Sequence, residues 1–242
     1  MMEAILNIQN LYKHYQGLVA VDHVNLFLTK GTINAIYGDN GAGKTTLFNL
    51  ISGFEKPDEG KIVFNGLNIT HKSVLYRARL GIGRLFQIPR IFSDISVLDN
   101  LLSAGNNHEA RYLHNYLFKY STIQENKHRD MQKAYQILEQ LNLSSKAGIK
   151  AFELSVGEKR LLSLGSLLMN DAQLLLLDEP FAGINNLVAE QIMSILTQKR
   201  AKGVTFLIIE HQKDSLLTIA DHVFEMKQGK LLNSTEAKHA KP

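Results

Sequence analysis

Residues 38–46, Gly38-Asp39-Asn40-Gly41-Ala42-Gly43-Lys44-Thr45-Thr46, constrain this chain more than any other stretch. They fit G-x-x-x-x-G-K-[ST], a loop that binds phosphate. The flanks supply the context the motif needs. Residues 33–37 alternate and predict a strand; residues 45–52 predict a helix that Gly53 can close. Glycines let backbone N–H groups curl around an anion, and the helix N-terminus adds partial positive charge. Lys44 then reaches the β- and γ-phosphates of a nucleotide, and the Thr45 hydroxyl can ligate Mg2+. All nine residues are therefore predicted to contact nucleotide. A glycine-rich turn that merely starts a helix accounts for the motif less well than a phosphate site does.

At 242 residues the chain can bury a substantial core, as one α/β domain or a core with a small lobe. The longest apolar runs, around 161–169 and 174–177, are too short to span a bilayer. The N-terminus has neither a basic patch nor a long apolar region, so no signal peptide is expected. No cysteine is present, which excludes disulfide and thiolate chemistry and is compatible with the cytosol. A net charge of +4, from 27 basic and 23 acidic residues, reads as solvated surface rather than a nucleic-acid footprint. The nine histidines are scattered. His108-Glu109 begins like a zinc-protease motif, but Tyr112 stands where the second histidine belongs, so no zinc is expected.

Residues 4–28 hold two runs of strand-like alternation separated by a turn-like segment, 12–17. Tyr15 in that segment can stack on a flat base, with Val21 packed beside it. After the phosphate loop come a turn at 56–60, a strand at 61–65, a helix at 75–80 and a strand at 81–86 that ends at Gln87. Pro89 makes the next residues a loop. A neutral amide at a strand end can ligate Mg2+ or position a water. From 96 to 143 the spacing is helical, with Leu98, Leu101 and Leu102 on one face and Ala134, Ile137, Leu138 and Leu141 on another.

Leu154-Ser155-Val156-Gly157-Glu158 opens a further helix, running to about Asn170. Ser155 and Glu158 fit a capping box, yet the free N–H groups and glycine at the same helix start also make an anion site. Ser155, Gly157 and Glu158 are thus candidate nucleotide contacts. The run Leu174-Leu175-Leu176-Leu177 reads as a central parallel strand, buried on both faces. It ends in Asp178-Glu179, at the edge where open α/β sheets bind ligands. Adjacent acids repel in a dry site unless a cation is present. Mg2+ near Asp178 removes the objection and leaves Glu179 to accept a proton from water. A second buried strand, 204–209, ends at Glu210-His211, and two short strands at 222–226 and 230–232 precede a polar tail.

Taken together these segments resemble an ABC-type ATPase over residues 4–232. The order is a phosphate loop, Gln87 before a proline-containing loop, Leu-Ser-Val-Gly-Glu, the strand ending in Asp178-Glu179, and His211. The resemblance implies a P-loop (RecA-like) α/β core with an N-terminal antiparallel β subdomain and an inserted helical subdomain. The core and β subdomain would take 4–87 and 155–232, the helical subdomain 88–154, and 233–242 would be a tail. It also implies a head-to-tail dimer, with a second copy or a paralogue, that sandwiches two ATP molecules. Tyr15 would stack on adenine, and Lys44 would hold phosphate. Thr45, Gln87 and Asp178 would form the Mg2+ shell, Glu179 the general base, His211 the γ-phosphate sensor, and Ser155 with Gly157 the contacts made in trans. Val156 and Glu158 depart from the usual Leu-Ser-Gly-Gly-Gln, and Asn185 stands where many members have aspartate.

Within the family, residues 83–89 and 209–212 look like the ATPases of branched-chain amino acid and urea-type importers, whereas 77–83 and 178–183 are similar to the lipopolysaccharide-export ATPase. The importer resemblance is the favoured one. It implies a subunit on the cytoplasmic face of the inner membrane, docked on separate membrane-spanning permease subunits beside Gln87. A soluble ABC ATPase without a transporter is the rival class. A GTPase would carry Asn-Lys-x-Asp, and the only Asn-Lys here, at 126–127, lacks the aspartate. A dead binding module should have lost Glu179 or His211, and both are present.

Overall fold

The computed structural model describes residues 3–105, 120–211 and 214–236. The His108, Glu109 and Tyr112 pattern, Gln212, and the tail beyond Glu236 lie outside the described residues. The chain divides into two compact units, one comprising Met1–Gln87, Ala172–Ala182 and Met193–Pro242, the other Ile88–Asp171 and Gly183–Ile192.

The first unit holds two sheets. β1 (Ala4–Tyr15), β2 (Leu18–Thr29), β4 (Glu59–Phe64) and β5 (Leu67–Asn68) form an antiparallel sheet in the order β2-β1-β4-β5. The segment 12–17 was expected to be a turn, but β1 continues through Tyr15. Only Gln16 and Gly17 turn, both with positive φ (42° and 91°), which matches the right-handed twist of a two-residue hairpin. Register shifts between Ile8 and Leu11, Leu11 and Lys13, and Lys13 and His14 break the two-residue period there. That is why alternation along the sequence stopped early.

The second sheet has the order β10-β9-β3-β8-β7-β6. Its parallel members are β3 (Ile33–Tyr37), β6 (Ile82–Leu85), β7 (Leu174–Asp178), β8 (Thr205–Glu210) and β9 (His222–Lys227). Only β10 (Lys230–Glu236) runs antiparallel, against β9. Every residue of β7 and β8 is buried, as continuous apolar runs demand of strands covered on both faces. Leu174–Leu177 alone bury four leucines, each worth about 1.5–3 kcal/mol.

Helix α1 (Lys44–Ser52) shares one core with both sheets, through Leu47, Phe48, Leu50 and Ile51. Gly53 ends it in a left-handed conformation, φ 85°. Its last carbonyls are satisfied unusually, by a guanidinium. Arg77 of α2 (Val74–Arg79) is 1% exposed and donates to Leu50 O (2.5 Å), Ile51 O (2.8 Å), Thr70 O (2.9 Å) and Lys72 O (3.0 Å). Burial pulls its pKa down to about 10.

In the second unit, α3 (Val97–Ala104) and α5 (Val156–Leu168) pack together, and α4 (Tyr120–Gln140) lies against both. Gly165 of α5 allows the close approach: a Cβ there would come within 2.6 Å of Leu141 and 3.0–3.1 Å of Ile137 and Leu101. α5 packs with the helices, so this compact unit runs to Asp171. α6 (Asn186–Ala201) begins in this unit.

Candidate functional site

Four neighbouring parallel strands, β3, β8, β7 and β6, deliver the four predicted motifs from their carboxyl ends. The phosphate loop follows β3, His211 follows β8, Asp178 and Glu179 end β7, and Gln87 lies just past β6. Register keeps those ends level, with Tyr37 beside Glu210 and Asp178 beside Ile209.

The loop's glycines are required by space as well as by conformation. Gly43 has φ 103°, and a Cβ on it would run into the carbonyl oxygen of Ala20; one on Gly38 would run into that of Met226. Gly43 is also the N-cap of α1 and brings no side chain to its N–H groups, and the first turn carries no acid. Those donors suit an anion. Lys44 is buried, and its ammonium reaches back to Gly38 O (2.6 Å) and Asp39 O (2.9 Å). Burial lowers its pKa, opposed by the charges of Glu179, Asp39, Asp178 and Glu210. Asp39, Asn40, Gly41 and Thr45 are exposed around it.

Asp178 is buried, which raises its pKa, and the charges of Arg84 and, more weakly, Lys44 oppose the shift. Arg84, on β6, places its Nη2 3.1 Å from Asp178 Oδ2. Its Nη1 donates to Asn49 Oδ1 (2.6 Å) and Ser52 Oγ (3.1 Å) on α1, and its guanidinium carbon lies 4.8–5.7 Å from the rings of Phe86, Phe48 and Phe54. Thr45, Gln87 and Asp178 offer a hydroxyl, an amide oxygen and a carboxylate, a hard oxygen set that fits Mg2+.

Glu179 has a left-handed backbone, φ 48°, rare for a side chain with a Cβ. Its carboxylate is held on both oxygens, by His211 Nε2 at 2.5 Å and by Gln87 Nε2 at 2.8 Å. The predicted base thus touches both the predicted sensor and the predicted Mg2+ glutamine. Beneath them Glu210, which burial pushes towards a higher pKa, accepts Phe181 N–H (3.1 Å).

Two of the expected nucleotide contacts are otherwise engaged within this chain. Tyr15 is partly exposed at the end of β1, with the Lys13 ammonium 5.3 Å from its ring, but Val21 is fully buried in the core and offers no surface to a base. Glu158, expected among the nucleotide contacts, has both oxygens engaged, by Lys146 (2.6 Å) and by Ser155 N–H (3.0 Å). Those contacts hold its pKa low, so it remains an anion with no donor for phosphate. It is one half of the capping box on α5, where Ser155 is exposed. Asn185 acts as a cap too, accepting Val188 N–H at 3.0 Å. Arg84 and Glu210 were missed as site residues. The available signal was a charge on each of two strands flanking the acid-ended one.

Residues 21–182 match the ABC transporter family. The chain belongs to that family. Relatives include the probable branched-chain amino acid transport ATP-binding protein LivG of Archaeoglobus fulgidus, 39% identical over 94% of this chain and 88% of that one. The high-affinity branched-chain amino acid transport ATP-binding protein LivG of Escherichia coli K12 is 32% identical over 95% and 90%. A nucleotide-free ATP-binding cassette from an ABC transporter superposes with a TM-score of 0.82, at 36% identity over 96% of this chain and 91% of that one. An ADP form of such a cassette gives 0.81, at 35% identity and the same coverage. As an ABC ATPase, the chain binds and hydrolyses ATP. Among the described residues no helix is long and apolar enough to cross a membrane.

Proposed function

We propose that this chain powers uptake of branched-chain amino acids, or a related polar solute, through separate membrane-spanning permease subunits. The observation that carries the ATPase mechanism is the contact of Glu179 with both His211 and Gln87. The solute class is supported by relatives whose printed names specify it and which align along nearly the whole chain.

In this reading Lys44 exchanges its two carbonyl partners for the β- and γ-phosphate oxygens of ATP, which are stronger, charged acceptors. His211 and Gln87 turn from Glu179 towards the nucleotide, and the freed carboxylate takes a proton from water. That water's oxygen bonds to the γ-phosphorus as the bond to ADP breaks. Mg2+, held by Thr45, Gln87 and Asp178, would neutralise charge on the phosphate oxygens. Tyr15 would stack on adenine. A second subunit, identical or paralogous, would bring Ser155 and Gly157 of its own α5 to the same triphosphate. The assembly would sit at the cytoplasmic face of the inner membrane.

Detergent extraction of membranes, followed by purification on this chain and reconstitution, tests the proposal. The expected result is an integral permease in the complex, with ATPase stimulated by a leucine-loaded solute-binding protein. A chain that purifies without any integral protein, and whose ATPase ignores solute, would be a non-transport ATPase instead.

A further inference from the structure

Glu210 is a buried carboxylate that the mechanism above leaves unused. It ends β8, is 8% exposed, and its Oε1 accepts Phe181 N–H at 3.1 Å. Phe181 follows Glu179 closely and Glu210 directly precedes His211, so this bond joins the two arms of the Glu179–His211 contact. Phe181 lies two residues beyond Glu179, in the turn closed by Ala182 N–H on Glu179 O (3.2 Å). Glu179 N–H in turn donates to Ile209 O (3.0 Å), so the turn is pinned to β8 on both sides of Pro180.

The backbone of Glu179 explains why such pinning is needed. A left-handed φ of 48° at a residue with a Cβ costs about 1–3 kcal/mol and persists only where the surroundings over-determine it. One neutral hydrogen bond contributes about 1 kcal/mol, whereas bonds to a charged acceptor are worth about 1.5–3 kcal/mol. A carboxylate accepting the Phe181 N–H is therefore of the right size to hold the strained turn.

We propose that Glu210 is a positioning residue for hydrolysis: its carboxylate ties the backbone of Phe181 to the strand end that carries His211, and so fixes the Glu179 side chain relative to His211. It touches neither ATP nor water. The inference rests on Glu179 being the base.

Two substitutions separate reach from charge. Glu210→Asp keeps the charge but falls one methylene short of Phe181. It is expected to lower kcat by about 10- to 100-fold, the scale of an ångström-sized misplacement. The ATP dissociation constant should stay as in the unsubstituted chain, while the thermal midpoint falls by several degrees with the lost hydrogen bond. Glu210→Gln keeps the length and a neutral, weaker acceptor oxygen, and should turn over faster than Glu210→Asp but more slowly than the unsubstituted chain. The proposal fails if Glu210→Asp turns over normally, if Glu210→Gln is as slow as Glu210→Asp, or if nucleotide affinity falls in step with kcat. Glu179→Gln, assayed alongside, keeps the two ideas apart. A fast Glu179→Gln overturns the general-base assignment itself, whereas a slow Glu179→Gln with a fast Glu210→Asp overturns only the clamp.

Discussion

The ammonium of Lys44 donates to two carbonyl oxygens of its own loop, while four carboxylates hold it in a negative field. A triphosphate replaces neutral acceptors with charged ones, and such hydrogen bonds are worth about 1.5–3 kcal/mol. Lys44→Ala should therefore raise the ATP dissociation constant by about 10- to 100-fold. Titration calorimetry would read this directly, and unchanged affinity would remove Lys44 from the phosphate site. Residues such as Lys44, Asp178 and Glu179 were legible because glycine spacing and an apolar run mark where backbone turns and strands end. Arg84 and Glu210 were not. Period-two alternation gives the face of a strand but not what that face meets, and the α1 partners of Arg84 lie 35 and 32 residues away in sequence. Val21 misled for a related reason: shifts in the β1–β2 register put it in the core.

Among the elements, α1 depends on a neighbour for its C-terminal end. Arg77 fills the role that water or a loop amide usually plays, with four carbonyls around one guanidinium. Arg77→Met would leave several buried acceptors unpaired at about 1–3 kcal/mol each, offset in part because a buried charge is removed. A net loss of about 3 kcal/mol is expected, seen as a fall of about 6–12 °C in the thermal midpoint. A midpoint within a degree of the parent would mean those carbonyls find other donors. At the other sheet, Asp58 ties β4 to β1. The Lys13 ammonium (2.8 Å), and then His14 N–H (2.9 Å), hold its pKa down at about 2. Since the folded value lies below the unfolded one of about 3.9, the contribution is complete above about pH 4 and fades as pH falls towards 2. The urea midpoints of the parent and Asp58→Asn should differ most near neutrality and converge in acid. A gap independent of pH would assign the effect to packing. The strands and helices themselves were mostly legible, and the turn at 12–17 was not, because bulges erase the period on which such readings rest.

For the whole molecule, the helical period read from the sequence reached about Asn170, but periodicity is silent on partners. In the structure α5 packs within the helical unit through Gly165. The order of the parallel strands could not be read from the chain either, since it is fixed by crossovers. That order sets β3, β8, β7 and β6 side by side, and so gathers at one rim residues drawn from positions 38 to 211. The central claim is that this rim splits ATP with Glu179 as base. Steady-state ATP turnover by Glu179→Gln, at saturating Mg2+ and ATP, tests it most directly. A rate about 10²–10⁴-fold below the parent is predicted; a rate equal to the parent's would contradict it.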